Sequence, residues 1–577
     1  MEENTIKSPK PSPLQRFLRL LSLERREISH IYLYAIFSGL INLSLPLGIQ
    51  AILSLVLANQ LSSSWVILVG IVTLGTVLAG ALQIMQISIT EMIQQRIFVR
   101  SSFEFAYRLP KISMGALFKK YPPELVNRFF DTLTIQKGLP KILIDLSTAS
   151  LQILFGLVLL SFYHPFFLAF GFILLVLLFA IFRFTGPMGL RTSLQESDYK
   201  YQVVHWLEEV ARTLSSFKLA GKTNLALEKT DELVTSYLGA RKRHFRVLIF
   251  QFSNIVLFKT LVTAGLLILG SKLLIERELN VGQFVASEII IILIITNVEK
   301  LILSMETIYD VLTAVEKIGK VTDLPLEREE GIDFKKIATG YGVDVKVQGL
   351  DFAFPGEKFK SLNDVNFRIK AGEKVCVAGH AGSGKTVLLN VISGLYENYD
   401  GSIAFNDIPL VNIGINSLRS HIGDCLSQKN LFKASVLDNV TMGSEHITLE
   451  NVLWALDRLD LSDFVRSLPE GLETIVNPET PQLPFSIARK LVLARSIAKR
   501  PQLLIMDDFF SVWEKDDKRI LCEFLTCNDL DTVISVSNDK MFANMCSKVI
   551  IMENGTVIDV GKPEQILEDP KYSSLFH

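Results

Sequence analysis

Long apolar blocks separated by polar segments fill residues 1–305, whereas the rest of the chain has the mixed pattern typical of a soluble domain. A helix needs about 20 predominantly apolar residues to cross a bilayer. Six segments meet this requirement, to within a few residues at each end: 30–57, 64–88, 139–162, 164–185, 247–271 and 281–304. The pattern therefore predicts six transmembrane helices followed by a soluble domain.

The distribution of lysine and arginine predicts the orientation of these helices, because cytoplasmic loops carry an excess of both residues. Residues 1–29 and the long polar segments 89–138 and 187–246 are rich in both, while the loops after the first and third spans have neither. We therefore expect the N-terminus, both long segments and the soluble domain in the cytoplasm. The first apolar span is too long for a signal peptide and lacks a small-residue cleavage site, so no cleavable signal is predicted.

Charge and cysteine content exclude some function classes. Hydrophobic residues make up 49% of the chain and the formal net charge is −1, which argues against a nucleic-acid binder because such proteins are usually basic. The five cysteines all lie in the soluble part, and their spacing does not match a zinc site. They are expected to be free thiols in a reducing compartment.

A phosphate-binding loop opens the soluble domain. The run Val375–Ala378 predicts a short buried strand, and the pattern G-x-x-x-x-G-K-[ST] follows it and opens a helix. Glycines let backbone amides wrap the β-phosphate of ATP, and the helix N-terminus adds positive potential. Lys385 is expected to reach the β- and γ-phosphates, and the Thr386 hydroxyl to bind Mg²⁺. The predicted ATP-binding residues are Gly379, His380, Ala381, Gly382, Ser383, Gly384, Lys385 and Thr386, of which His380 fills a variable loop position.

A second strand, "PQLLIMDD", ends in Asp507, which is expected to bind Mg²⁺ through water as in P-loop ATPases. This pattern is weak alone but becomes informative when it is paired with Lys385. The sequence therefore predicts a P-loop ATPase with ATP and Mg²⁺ as its ligands.

With these motifs the chain resembles the ATP-binding cassette (ABC) transporters, and six spans fused to one cassette are similar to an exporter half-transporter. The stretches "INLSLPLGIQAIL" and "LNVGQFVAS" are similar to haemolysin-type (type I secretion) transporters, without their N-terminal peptidase-like domain. The resemblance implies a membrane all-α six-helix exporter domain followed by an α/β P-loop NTPase domain. Its regions are a cytoplasmic segment (1–29), a six-span domain with two long cytoplasmic loops (30–320), a linker (321–345) and a cassette (346–577).

Two further residues take roles from this resemblance. Phe354 in "LDFAFPG" matches the aromatic residue that stacks on adenine, although a core phenylalanine on a strand is the alternative interpretation. Gln428 in "IGDCLSQKNLF" matches the glutamine that contacts Mg²⁺ and the attacking water. Gln428 is therefore expected to serve both the metal and the catalytic step.

The chain departs from the family at the catalytic positions. Asp508 replaces the glutamate that orients and deprotonates the water, and its side chain is one methylene, about 1.5 Å, shorter. Asn538 replaces the histidine that contacts the γ-phosphate, and an amide brings no titratable ring. The D-loop position reads Ser511-Val512-Trp513-Glu514. These differences predict slow hydrolysis.

The signature sequence is altered most. In the family, L-S-G-G-Q supplies a serine hydroxyl and glycine amides to the γ-phosphate bound on the opposite subunit. Here Leu483 matches, and the next four positions read Pro484, Phe485, Ser486 and Ile487. Proline removes a hydroxyl and an amide donor, and phenylalanine fills space that the phosphate needs. The helix that follows, through Arg495, keeps the family pattern.

Three functions remain open after this reading. The chain is a transport subunit that binds ATP and hydrolyses it slowly beside a more active partner, a self-sufficient homodimeric exporter, or a membrane regulator that uses ATP only for dimerisation. Six spans exclude soluble P-loop kinases, and the fused arrangement disfavours importers.

The resemblance also implies partners and a location. They are a second half-transporter, identical or different, surrounding membrane lipid, a substrate of unknown type and a periplasmic adaptor, but no nucleic acid. The expected location is the bacterial inner (plasma) membrane, with several membrane passes.

Overall fold

Two structural units make up the chain in the computed structural model, which describes residues 11–57, 63–338, 340, 342–426, 431–477, 483–508, 510, 515–527 and 531–577. The helical unit consists of Met1–Pro110 and Tyr121–Leu324, and the α/β unit consists of Lys111–Lys120 and Pro325–His577. Residues 111–120 thus belong to the α/β unit, although they lie between two segments of the helical unit in the sequence.

The helices of the first 322 residues include all predicted spans. They are α1 (Pro13–Ser22), α2 (Arg25–Asn42), α3 (Ser44–Leu57), α4 (Ser63–Arg108), α5 (Met114–Leu117), α6 (Pro122–Asn127), α7 (Asp131–Pro140), α8 (Leu146–Ser161), α9 (Pro165–Arg212), α10 (Leu214–Leu219), α11 (Leu225–Ile275) and α12 (Val281–Thr322). Among the described residues, six helical segments are long and apolar enough to cross a membrane: Arg25–Leu57, Ser63–Lys111, Pro122–Ser161, Pro165–Arg212, Leu225–Ile275 and Val281–Thr322. The prediction of six spans is confirmed.

The α12 helix forms the centre of the helical unit. Its start is fixed by a capping box, in which Asn280 and Gln283 each accept a hydrogen bond from the other's backbone N–H. Half of its most apolar stretch is buried, against 6% for the corresponding stretch of the segment that contains α4. Isoleucines at 290, 294 and neighbouring positions pack against α8, α9 and α11. Because α4 keeps its apolar side chains exposed, its outer surface has the character of a lipid-facing helix.

The described residues of the α/β unit form three sheets. Its strands are β1 (Val345–Phe352), β2 (Leu362–Ile369), β3 (Lys374–Ala378), β4 (Asp400–Phe405), β5 (Ile408–Pro409), β6 (Ile422–Cys425), β7 (Ala434–Ser435), β8 (Ile475–Val476), β9 (Leu503–Asp507), β10 (Thr532–Val536), β11 (Lys548–Glu553) and β12 (Thr556–Gly561). Its helices after residue 325 are α13 (Lys385–Ile392), α14 (Ile415–His421), α15 (Val436–Thr441), α16 (Leu449–Arg458), α17 (Ser462–Ser467), α18 (Phe485–Ala498), α19 (Lys515–Thr526), α20 (Lys540–Met545) and α21 (Pro563–Glu568).

The six-stranded sheet positions the candidate site. Its order is β12-β11-β3-β10-β9-β6, with only β12 antiparallel, while β2-β1-β4-β5 form an antiparallel sheet and β7-β8 a short third one. Every residue of β3 and β10 is buried, as is typical of central strands in a parallel sheet that is covered on both faces. In the register, Val536 aligns with Val377 on one side and with Asp507 on the other. The chain segments that follow β3, β9 and β10 therefore leave the sheet along one edge.

Candidate nucleotide-binding site

The loop between β3 and α13 has a backbone that only glycine fits at two points. Gly384 has φ +93° at the N-cap of α13, and a Cβ there would lie 2.8 Å from the Ser361 carbonyl oxygen. A Cβ on Gly379 would lie 2.2 Å from the carbonyl oxygen of Met552. These close approaches explain the glycine spacing of the predicted phosphate loop.

Lys385 closes this loop on itself. Its ammonium donates hydrogen bonds to the carbonyl oxygens of Gly379 (2.8 Å) and His380 (2.7 Å) and to Ser383 Oγ (3.1 Å). Burial lowers the pKa of the Lys385 ammonium below its ordinary value, against the attraction of Asp507 and Asp508. Phosphate oxygens would replace these neutral acceptors with charged ones, which favours the protonated lysine.

Thr386 and Asp507 meet where a cation is expected. Both residues line the same hollow, and the pKa of the Asp507 carboxyl is raised, chiefly because burial disfavours the charged form, although the nearby Thr386 hydroxyl acts in the opposite direction. The neighbouring charge of Asp508 raises this pKa further. A hydroxyl and a carboxylate are hard oxygen donors of the type that Mg²⁺ takes together with nucleotide phosphates. The pair therefore fits Mg²⁺, and a divalent cation would offset the buried negative charge.

The side-chain amide of Asn538 is hydrogen-bonded to the backbone of the phosphate loop. Its Oδ1 accepts a hydrogen bond from the Gly379 N–H at 3.1 Å, and its Nδ2 donates to the Gly379 carbonyl oxygen at 3.1 Å. Both ends of the amide are thus used to hold the first residue of the loop.

Asp508 follows β9 in a left-handed conformation, with φ +41°. Its backbone N–H donates to the Val536 carbonyl oxygen at 3.1 Å, which fixes the turn. The carboxylate is exposed and makes no hydrogen bond to any residue that the structure describes. Within the part of the chain that the structure describes, only its backbone positions it.

These residues surround one hollow of about 780 Å³, a size that suits a small-molecule ligand. It is lined by Lys360, Ser361, Gly379, Ala381, Gly382, Ser383, Gly384, Lys385, Thr386, Val387, Asp507, Asp508, Val536, Ser537, Asn538, Asn554 and Gly555. The His380 side chain is exposed outside this lining.

Seven lining residues were not predicted from the sequence: Lys360, Ser361, Val387, Val536, Ser537, Asn554 and Gly555. The dipeptide Asn-Gly between two apolar runs predicts the hairpin β11–β12. It does not predict that the Gly555 N–H donates to the Ser383 carbonyl oxygen at 3.1 Å and so supports the phosphate loop.

Phe354 lies outside the lining of the hollow. Its half-buried ring stacks on Phe118 of the α5 segment, with 4.8 Å between ring centroids and 8° between planes. The rings of Phe352 and Tyr396 stand nearly perpendicular to it at 5.2 and 5.5 Å. This aromatic cluster was not evident in the sequence because Phe118 lies more than 200 residues away from Phe354.

The altered signature begins α18, and the predicted helix through Arg495 is confirmed. Pro484 is the N-cap and provides no side-chain cap. Phe485 is 49% exposed with Arg489 stacked over its ring at 5.0 Å, and Ser486 is exposed. Ile487 instead packs against the core of the α/β unit. Gln428 and Ser511–Glu514 lie outside the described residues.

Both halves of the chain match models of known protein families. Residues 30–298 match the ABC transporter transmembrane region, and residues 362–511 match the ABC transporter domain. The alpha-hemolysin translocation ATP-binding protein HlyB of Proteus vulgaris is 27% identical over 311 residues, covering 54% of this chain and 43% of that protein. The toxin RTX-I translocation ATP-binding protein of Actinobacillus pleuropneumoniae is 25% identical over 374 residues, covering 64% and 52%. The chain thus spans about half the length of the curated relatives it matches.

A solved structure supports the same fold. A bacterial Atm1-family ABC exporter with ATP bound superposes with a TM-score of 0.83 at 16% identity, covering 96% of this chain and 98% of that chain. The likeness therefore extends over both units and includes the six membrane helices as well as the sheet that carries the phosphate loop. With a membrane region and an ATP-binding domain of this family joined in one polypeptide, the chain belongs to the ABC transporters.

Proposed function

We propose that the chain is a subunit of an ATP-driven exporter that binds ATP with Mg²⁺. When no more active partner subunit is present, the chain hydrolyses ATP slowly. Binding of ATP is supported by the glycine-framed loop, the half-buried ammonium of Lys385 and the hollow beside them. When bound, Mg²⁺ neutralises charge on the β- and γ-phosphates. Thr386 and Asp507 would hold it, and Lys385 would orient the phosphates.

The proposal of slow hydrolysis depends mainly on the length and position of the Asp508 side chain. The side chain is about 1.5 Å shorter than the glutamate it replaces, and it is exposed, with its backbone as its only anchor among the described residues. A misplacement of about 1 Å can reduce a rate about a hundredfold. Asn538 adds to this effect because its amide is bound to Gly379.

In the head-to-tail arrangement that the family implies, the start of α18 faces the γ-phosphate of the ATP that is bound to the other subunit. Pro484 donates no hydrogen bond there, and the exposed Phe485 ring occupies the approach. A partner with an intact glutamate would therefore meet an altered signature. We infer that productive turnover needs such a partner, and that assembly of the cassettes around ATP drives export.

A self-sufficient homodimer is the second candidate. It is favoured by Ser486, whose exposed hydroxyl lies in the first turn of α18, and by Asp508, whose carboxylate still lines the hollow. A regulator that binds ATP without transport is the third candidate, since it needs only the phosphate loop.

The setting of the transporter is part of the proposal. The N-terminus and the α/β unit lie in the cytoplasm of a bacterium, and the spans cross its inner membrane. Because the matched relatives carry the names of toxin translocation proteins, a periplasmic adaptor is proposed as a further partner. The cargo is not assigned.

Phosphate release by the purified full chain in lipid nanodiscs tests the proposal, with Lys385→Ala as the control. We expect ATP binding that the control lacks, with turnover far below about one per second. Turnover at or above that value, abolished in the control, would establish the homodimer instead. ATP binding without ATP-stimulated substrate movement, even beside an active partner, would favour the regulator.

A further inference from the structure

The segment Lys111–Lys120 is attached to the α/β unit by its backbone. The Ser113 N–H donates to the Pro325 carbonyl oxygen at 3.0 Å, and the Glu327 N–H donates to the Lys111 carbonyl oxygen at 2.7 Å. Ile112 is buried between them and pairs with Leu326. This attachment fixes where the end of the segment, at Phe118, meets the β1–β2 connection.

The turn that presents Phe118 has an unfavourable residue for its geometry. Phe118 has φ −54° and ψ 130°, Lys119 has φ +62°, and the Lys120 N–H donates to the Leu117 carbonyl oxygen at 2.8 Å. These values define a type II turn, which favours glycine or asparagine at the position that Lys119 occupies. A lysine there is strained, so contacts made by the turn must hold it in place.

Those contacts lie around Phe354. The Phe118 ring is stacked on the Phe354 ring, and Lys119 Nζ lies 3.8 Å from the Glu357 carboxylate. The Lys119–Glu357 pair is exposed and therefore contributes little. Of these two contacts, the ring stack is therefore the stronger.

The stack leaves no space for a third ring. A centroid separation of 4.8 Å is near the short end of the range for aromatic pairs, about 4.5–7 Å. Phe352 and Tyr396 pack across Phe354 at right angles. A purine can stack on the Phe354 face that Phe118 covers only if Phe118 moves away.

We propose that Phe118 is an internal competitor of the nucleobase and sets the affinity of the site for ATP. This inference rests on the proposed function, with Phe354 as the residue that stacks on adenine. The phosphates bind at the loop around Lys385, and adenine then takes the place of the Phe118 ring. The phosphate part of the affinity is unaffected by Phe118, whereas the base part is reduced by the cost of displacing it.

Equilibrium binding to the full chain in nanodiscs tests this, with Mg-ATP and inorganic tripolyphosphate as probes. Phe118→Ala is expected to bind ATP about three- to tenfold more tightly, the range of an aromatic pair, with tripolyphosphate affinity unchanged. Phe118→Leu, which keeps an apolar side chain, is expected to shift ATP in the same direction by less. Phe359→Ala is the matched control, because this phenylalanine is 87% exposed in the turn after Phe354.

A second substitution separates competition from general loosening. In a Phe354→Ala background the effect of Phe118→Ala should disappear, because the contested ring face is gone. Weaker ATP binding in Phe118→Ala would make the ring a partner of the base and overturn the proposal. Unchanged ATP binding would overturn it too, as would equal shifts for ATP and tripolyphosphate. If neither probe depends on Lys385, the proposed function itself fails, and the inference with it.

Discussion

At the scale of single residues, the Asp507 carboxylate lowers the stability of the folded chain by an amount that depends on pH. Its pKa lies above the ordinary value of 3.8, chiefly because burial disfavours the carboxylate. The folded chain therefore binds this proton more tightly than the unfolded chain does. Stability falls as pH rises from about 3.8 through the raised pKa, and the full penalty is present above that raised pKa.

Asp507→Asn removes that penalty. In the absence of nucleotide and metal, the variant should have a higher midpoint of thermal unfolding at pH 7, with a difference that shrinks as pH is lowered toward 4. Adding Mg-ATP should raise the midpoint of the wild type more than that of the variant, since the metal ligand is lost. Differential scanning fluorimetry of the full chain measures both effects. A lower midpoint for the variant at pH 7 without ligand would contradict this account of Asp507.

The sequence identified the residues of this site more reliably than it identified their hydrogen-bonding and stacking partners. The glycine spacing, Lys385, Thr386 and Asp507 follow from phosphate and Mg²⁺ chemistry, and the structure brings them to one hollow. The double hydrogen bond between Asn538 and Gly379 had no sequence signal, because it joins residues 159 positions apart. Stacking of Phe118 on Phe354 had none for the same reason.

At the scale of secondary structure elements, α18 shows how an altered signature remains folded. The helix begins without a side-chain cap at Pro484, but Ile487 in its first turn packs into the core. The scaffold is therefore retained by apolar packing where the family sequence has a polar glutamine. Restoring the family sequence exchanges this packing for hydrogen-bonding groups.

Two variants separate these effects. Pro484→Ser/Phe485→Gly/Ser486→Gly keeps Ile487, and its new serine cap, worth about 1 kcal/mol, offsets part of the cost of two glycines. Adding Ile487→Gln should lower stability by a further 1–2 kcal/mol, roughly, since a polar group replaces a packed side chain. Thermal unfolding of both variants beside wild type gives the difference. Equal midpoints for the two variants would mean that Ile487 does not anchor the helix.

Elements with strong local signals were predictable, and elements defined by distant contacts were not. Six apolar runs, the buried strand before the phosphate loop and the helix after the signature all appear in the structure. Residues 111–120 read as part of a polar loop between two spans, yet they belong to the α/β unit. Ile112 pairs with Leu326 and so joins this segment to the α/β unit. The apolar periodicity of the sequence does not indicate a contact between residues so far apart.

At the scale of the whole molecule, the proposed pairing makes every ATP site a composite of two chains. One chain contributes the phosphate loop and Asp508, and the other contributes the start of α18. In a homodimer of the natural chain both sites carry both alterations. Repairing the base alone leaves the altered signature in each of the two sites, and repairing the signature alone leaves Asp508 in each of them.

Mixing two differently repaired chains gives a sharper result. One chain carries Asp508→Glu, and the other carries the four substitutions that restore Ser-Gly-Gly-Gln at 484–487. In a mixed dimer one site has the glutamate and the restored signature together, while the other site has neither. We expect phosphate release by tag-purified mixed dimers to exceed that of either homodimer by about ten- to hundredfold. Lys385→Ala in the Asp508→Glu chain should abolish this gain, whereas the same substitution in the other chain should leave it, because only the first chain provides the repaired phosphate loop. Turnover equal to the mean of the two homodimers would refute composite sites for this protein.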